Sequence, residues 1–246
     1  MLVVVPVDPP REELVLSSLV ETTSLTARDA VSLYEAAVTD VLRAVEESGG
    51  DLLVNYRDEE TLPEAFADGD PEGDVRSLAT DALETSEDVR FERQVGSTRS
   101  ARIGNTVTHL LEREDVGSVG VLEPTVPLVG RSEIDGAAMS LRRHDVVLGP
   151  SSGGRAYVSN FTAPIDFTDA YEGVELSTLA RRVEAAGLAT GFSPFLPTIA
   201  SESGLCATIA MIEARRSAGR PGAAATAAVV DELELSVGPD DSLVSE

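Results

Sequence analysis

In 246 residues this chain carries 43 Asp and Glu against 19 basic residues, every one of them Arg, for a formal charge of −24. Having no amine side chain excludes a Walker-type phosphate loop, a Schiff base and a lysine general base, and so acidic a balance makes nucleic acid an unexpected partner. A lone Cys206 excludes an intramolecular disulfide and a multi-thiolate metal centre, and no apolar run reaches the roughly 18 residues of a membrane span.

The β-branched run Leu2-Val3-Val4-Val5-Pro6-Val7 predicts a strand buried on both faces of a parallel sheet. Pro9-Pro10 forces a loop. From Thr26, apolar residues at Ala30, Leu33, Tyr34, Ala37, Val38, Val41, Leu42 and Val45 recur at helical spacing until Gly49-Gly50 stops them. Asp51 to Tyr56 is the second strand. The acidic, Gly- and Pro-containing stretch from Arg57 to Asp74 reads as a loop with a short helix near Pro63 to Ala67.

Alternation then resumes with a helix at Val75 to Leu83, a strand at Val89 to Val95, a helix at Ser100 to Arg113 and a strand at Ser118 to Leu122. A helix at Glu133 to Arg142 is followed by strands at Asp145 to Leu148 and Arg155 to Asn160. A helix at Leu176 to Ala186, a strand at Leu188 to Phe192 and a helix at Glu202 to Ser217 complete the pattern. Such βαβ repetition implies an α/β fold with a mainly parallel, doubly wound sheet and a ligand at the carboxyl ends of its strands. Residues 1–220 are expected to form that single domain. Residues 221–246 are expected to form a helix/strand extension, its helix at Ala223 to Val230, with a frayed tail.

The acids are spread along the whole chain. Self-repulsion of this size is screened at molar salt, where the Debye length is about 3 Å, so the composition reads as a surface adapted to a salt-rich cytosol. Met1 to Pro6 lack the basic flank and apolar run of a secretory signal, which makes a cytoplasmic location the expectation.

Gly149-Pro150-Ser151-Ser152-Gly153 matches the Gly-x-Ser-x-Gly elbow of serine hydrolases. That elbow needs a helix directly after the serine and a histidine later in the chain. Here both histidines, His109 and His144, come earlier and Ala156-Tyr157-Val158 reads as strand, so a small-residue loop between strands is the better reading. Polar residues at predicted strand ends mark where a ligand would lie: Asn55 and Arg57, Gln94 and Gly96, and Glu123-Pro124-Thr125.

Three segments carry a family likeness: Gln94-Val95-Gly96 with Arg102-Ile103-Gly104-Asn105, Val147-Leu148-Gly149-Pro150 with Gly153-Gly154, and the early helix holding Ala30, Leu33, Tyr34 and Asp40. From about Met1 to Ser217 the chain resembles a family of glycosyltransferase-A-like transferases, more distantly similar to 2-phospholactate guanylyltransferase and other nucleotidyltransferases. The resemblance implies a nucleotide-diphospho-sugar transferase-like fold and a nucleotide or nucleotide-sugar partner. Candidate ligand contacts are Arg11, Asn55, Gln94, Gly96, Arg102 and Asn105 on the amino-terminal side. On the other side they are Thr125, Ser151, Ser152, Gly153, Gly154 and Arg155.

The departures are specific. Glu13-Leu14-Val15-Leu16 stands where the family carries Lys-Thr-Arg-Leu, leaving Arg11 as the nearby cation. Thr125, Ser152 and Thr198-Ile199-Ala200 stand where the resemblance expects carboxylates that hold a divalent metal. No cofactor is expected. A metal is disfavoured because neutral hydroxyls are weak ligands for it, although Glu123 could reach in. The implied function is binding of a nucleotide or nucleotide-sugar by a transferase-type protein; the alternative is a non-catalytic binding, regulatory or assembly protein that keeps the fold.

Overall fold

A computed structural model describes residues 1–84 and 89–245. Strand β1 (Leu2–Val7) lies in the interior of the sheet. Val3, Val5 and Val7 join the cluster built on helix α2 (Ala27–Glu46), while Leu2 and Val4 join the cluster built on helix α4 (Arg99–Glu112). Alternate side chains of a strand face opposite sides, so an unbroken apolar run suits a strand covered on both. Each buried valine contributes about 1.5–3 kcal/mol relative to exposure.

Strands β2 (Asp51–Tyr56), β3 (Arg90–Arg93), β4 (Val119–Leu122), β5 (Val146–Pro150), β6 (Ala156–Phe161) and β7 (Thr190–Phe192) complete the seven-stranded sheet, in the order β3-β2-β1-β4-β6-β5-β7. All neighbouring pairs are parallel except those of β6, which is antiparallel to both β4 and β5. The short β5–β6 link explains this, because a parallel return requires a crossover of a dozen or more residues. The sheet is thus mainly parallel, as the alternation predicts, with one reversed strand inside it.

Helix α1 (Ser17–Thr22) was not evident in the sequence, and helix α3 (Pro71–Ala82) begins earlier than the apolar spacing indicates. The Asp70 side chain accepts from the Gly73 N–H at 2.9 Å and Pro71 pre-sets the first turn, so local capping starts α3 inside the stretch read as loop. The short helix near Pro63 is a 3₁₀ turn, Glu64–Phe66. Helices α5 (Arg131–Ser140), α6 (Glu175–Ala185), α7 (Glu202–Ser217) and α8 (Ala224–Glu232) fall at or within a few residues of their expected places.

Strands β8 (Leu235–Val237) and β9 (Leu243–Ser245) form an antiparallel hairpin within the carboxy-terminal extension. Leu235 is buried there with Ile209 of α7 and Val230 of α8, which supplies the apolar contact the hairpin needs. Asp40, buried in α2, ties the extension down by accepting the N–H groups of Ala225 at 3.0 Å and Thr226 at 2.8 Å. Among the described residues no helix is long and apolar enough to cross a membrane.

Candidate functional site

Strand order reverses at β1, whose neighbours β2 and β4 lie on opposite sides, and a crevice opens outside the carboxyl ends there. It encloses about 280 Å³ and is walled by Pro6 and Asp8 after β1, Leu14 to Ser18, Tyr34, Gln94, Arg99, Arg102, Glu123 to Thr125, Arg155 and Ala200. A larger hollow of about 660 Å³ lies at the opposite, amino ends of the strands around Met1, Asp51 and Arg90. The smaller one is the candidate site because ligands of open α/β sheets bind where loops leave the carboxyl ends.

Three arginines against two carboxylates line this cleft in a chain of charge −24. Arg99, at the start of α4, lies 2.5 Å from Glu123 and 4.0 Å from Glu175, with its guanidinium 5.7 Å from the centroid of the Tyr171 ring. Burial works against its charge, but the two carboxylates outweigh that and raise its pKa. Glu175, buried in the first turn of α6, accepts the Ala156 N–H at 3.2 Å. Desolvation, then repulsion from Glu123, pushes the Glu175 carboxyl above the ordinary range.

Behind the wall Arg57 lies 3.6 Å from Asp8, and its Nε donates to the Thr61 carbonyl at 3.1 Å. Desolvation raises the Asp8 pKa against the pull of Arg57, Arg102 and Arg99. The Asp8 N–H donates to the Tyr34 hydroxyl at 2.9 Å. Arg102 is held differently: its Nε donates to the Gln94 Oε1 at 2.8 Å, and it forms no ion pair among the described residues. Desolvation, followed by repulsion from Arg57 and Arg99, lowers its pKa. Arg155 is exposed and likewise forms no ion pair among the described residues.

Of the sequence-stated candidates, Gln94, Arg102, Thr125 and Arg155 meet in this cleft. Ser151 lies just beneath in a narrow adjoining recess, its hydroxyl donating to the Leu196 carbonyl at 2.7 Å. Arg11 is elsewhere: it bonds the carbonyls of Phe66 and Asp68 and lies 2.7 Å from the Asp74 carboxylate, fastening the segment before α3. Asn55 is buried between strands, donating to the Glu92 carbonyl at 3.1 Å and accepting from Thr106 at 3.3 Å. Asn105 donates to the Val95 carbonyl at 2.8 Å, and Gly96 has φ 140° with α4 so close that a Cβ would lie 2.9 Å from the Arg102 nitrogen.

Ser152, Gly153 and Gly154 make a 3₁₀ turn, with φ 68° and 74° at the two glycines, and do not line the cleft. A 3₁₀ turn followed by β6, with no helix, agrees with the rejection of the hydrolase elbow.

Sequence reasoning named Glu123 but missed Asp8, Arg99 and Glu175; Asp8 and Glu123 both line the cleft beside the Thr125 hydroxyl. Asp8 could have been found from its place directly after β1, as could Arg99 from its place opening α4. Glu175 arrives from 52 positions beyond Glu123 only through tertiary packing. Thr125 and Thr198, standing where the resemblance expects metal-holding carboxylates, share a hydrogen bond at 2.8 Å between their hydroxyls.

The two carboxylates that line the cleft already face guanidinium groups. Glu123 is engaged by Arg99 and Asp8 faces Arg57, so a cation placed between them would sit among guanidinium groups. No group of three or more His, Cys, Asp or Glu with metal-holding geometry occurs among the described residues.

Sheet order, the reversed β6 and the cleft at the switch point define a nucleotide-diphospho-sugar transferase-like α/β fold. The chain superimposes on a candidate nucleotide-diphospho-sugar transferase from Desulfovibrio desulfuricans with a TM-score of 0.76 at 17% identity, covering 94% of each chain. More distant likenesses are a cytidylyltransferase from Leptospira borgpetersenii (TM-score 0.50, 8% identity, 94% of this chain and 93% of that one) and 4-diphosphocytidyl-2C-methyl-D-erythritol synthase from Anaerococcus prevotii (0.50, 9%, 86% and 97%). At these identities the likeness is one of fold. No family model matches the sequence, and no curated protein does.

Proposed function

We propose that the cleft binds the phosphate-bearing part of a nucleotide or nucleotide-sugar, and that the protein is a binding protein of transferase type whose guanidinium groups take the place of a divalent ion. One observation carries this reading: Arg102 and Arg155 reach the cleft without a carboxylate partner among the described residues, while Arg99 and Arg57 each have one. In so acidic a chain, a cation left unpaired at a strand-end crevice is suited to a ligand's anion, and arginine bonds phosphate with two parallel N–H donors. The likeness in fold to a candidate nucleotide-diphospho-sugar transferase supports the ligand class.

The test is thermal melting in concentrated potassium chloride with GTP, UDP and GDP-sugars, each with and without manganese. A ligand at 100 times its Kd should stabilise by about 2.7 kcal/mol, and manganese should add nothing beyond its effect on the protein alone. A nucleotide effect that manganese strengthens refutes the guanidinium reading. No stabilisation by any of the three classes refutes the ligand class and favours an assembly role.

A further inference from the structure

The arginines of the cleft differ in what holds them. Glu123 holds Arg99 and Asp8 faces Arg57, so those two charges are largely compensated. Arg102 is held by an amide. Gln94 is buried, and both ends of its amide are committed: Nε2 donates to the Asn55 carbonyl at 2.8 Å, which turns Oε1 toward Arg102.

The backbone at that point is fixed as well, because the Gln94 N–H donates to the Tyr56 carbonyl at 2.7 Å. Two further contacts seat α4 against this strand end. Gly96, at φ 140°, allows the first turn of the helix to approach as close as it does, and Asn105 donates to the Val95 carbonyl. The result is a rigid support on which the Arg102 guanidinium is held by a neutral amide and forms no ion pair among the described residues.

We infer that Gln94 is a positioning residue: its neutral amide aims Arg102 into the cleft and leaves that guanidinium without an ion-pair partner among the described residues, open to a phosphate. The inference rests on the proposed ligand class and adds to it the reason an amide stands at position 94 in a chain with 43 carboxylates. Glutamate there would bond the same Nε with equal reach and would neutralise the charge. Repulsion from Arg57 and Arg99, which together with desolvation lowers the Arg102 pKa, is relieved when an anion enters.

The experiment compares wild type, Gln94→Glu and Gln94→Met by calorimetric titration with inorganic pyrophosphate. The melting temperature of each serves as the control for folding, and the Arg Nε–H resonances are recorded by nitrogen-15 NMR without ligand. Gln94→Glu also gives up the donor to the Asn55 carbonyl and so melts somewhat lower, but it should stay folded, keep the Arg102 Nε–H resonance and bind pyrophosphate at least about tenfold more weakly, the loss of one charge-assisted contact. Gln94→Met should lose the protected Arg102 Nε–H resonance and bind less tightly than wild type. Pyrophosphate binding by Gln94→Glu within about twofold of wild type overturns the inference, since a twofold change is well under 1 kcal/mol. An Arg102 Nε–H resonance unchanged in Gln94→Met overturns it too, and that readout needs no ligand. Wild type that shows the resonance but binds no pyrophosphate refutes the phosphate reading of the cleft while leaving the Gln94 support demonstrated.

Discussion

Replacing Arg99 by methionine should be the most damaging single change at the cleft. The substitution keeps an apolar stem against Tyr171 but removes a cation that lies within 4.0 Å of both Glu123 and Glu175, whose side chains are 14% and 5% exposed. Removing one partner of a buried ion pair costs about 3–5 kcal/mol, because the other charge stays desolvated. Arg99 is itself 33% exposed, so water screens part of the interaction and the lower end, about 3 kcal/mol, is expected. For a chain of this length that corresponds to a fall in Tm of roughly 6–12 °C.

The pH dependence has a definite sign. Without Arg99 the Glu175 carboxyl, already raised by desolvation and by the nearby Glu123 charge, takes up a proton more readily on folding, so its folded pKa rises further above the unfolded value of about 4.3. A raised folded pKa gives stability that is present below the unfolded pKa and lost as pH rises through the folded one. The deficit of Arg99→Met should therefore be small in mild acid and full at neutral pH. Denaturant titration of wild type and variant across that range, in one concentration of potassium chloride, measures it. Adding Glu123→Gln and Glu175→Gln should restore most of the loss. A deficit below about 1 kcal/mol at neutral pH would refute the reasoning, because it would mean the carboxylates are hydrated; a deficit that grows on acidification would refute it as well.

Arg11→Ala should lower stability by about 1–2 kcal/mol through loss of its bonds to the segment before α3, and should leave pyrophosphate affinity unchanged. A weaker affinity by calorimetry would return Arg11 to the ligand. Asp40→Ala should cost about 1–2 kcal/mol, the scale of an N-cap lost with its charge-assisted bonds, and should raise amide hydrogen exchange first in Ala225 and Thr226. Exchange unchanged at those two positions would show that apolar packing alone holds the extension.

The alternation of elements and the double burial of β1 were legible in the chain, and so was the grouping of Gln94, Gly96, Arg102 and Asn105, although there it reads as a set of ligand contacts and not as a support for one of them. Each of these rests on local order: periodicity marks which face is covered, and Gln94, Gly96, Arg102 and Asn105 lie within a dozen positions of one another. The sequence also showed hydroxyls at Thr125 and Thr198 where the family likeness calls for acids, and these meet at 2.8 Å. Which arginine is free and which is neutralised was decided only in three dimensions. Arg11 and Arg102 look alike in the chain, yet folding sets Asp74 against one and an amide against the other. Charge compensation depends on distances of a few ångströms between residues far apart in sequence, such as Arg99 and Glu175, and local spacing carries no record of them.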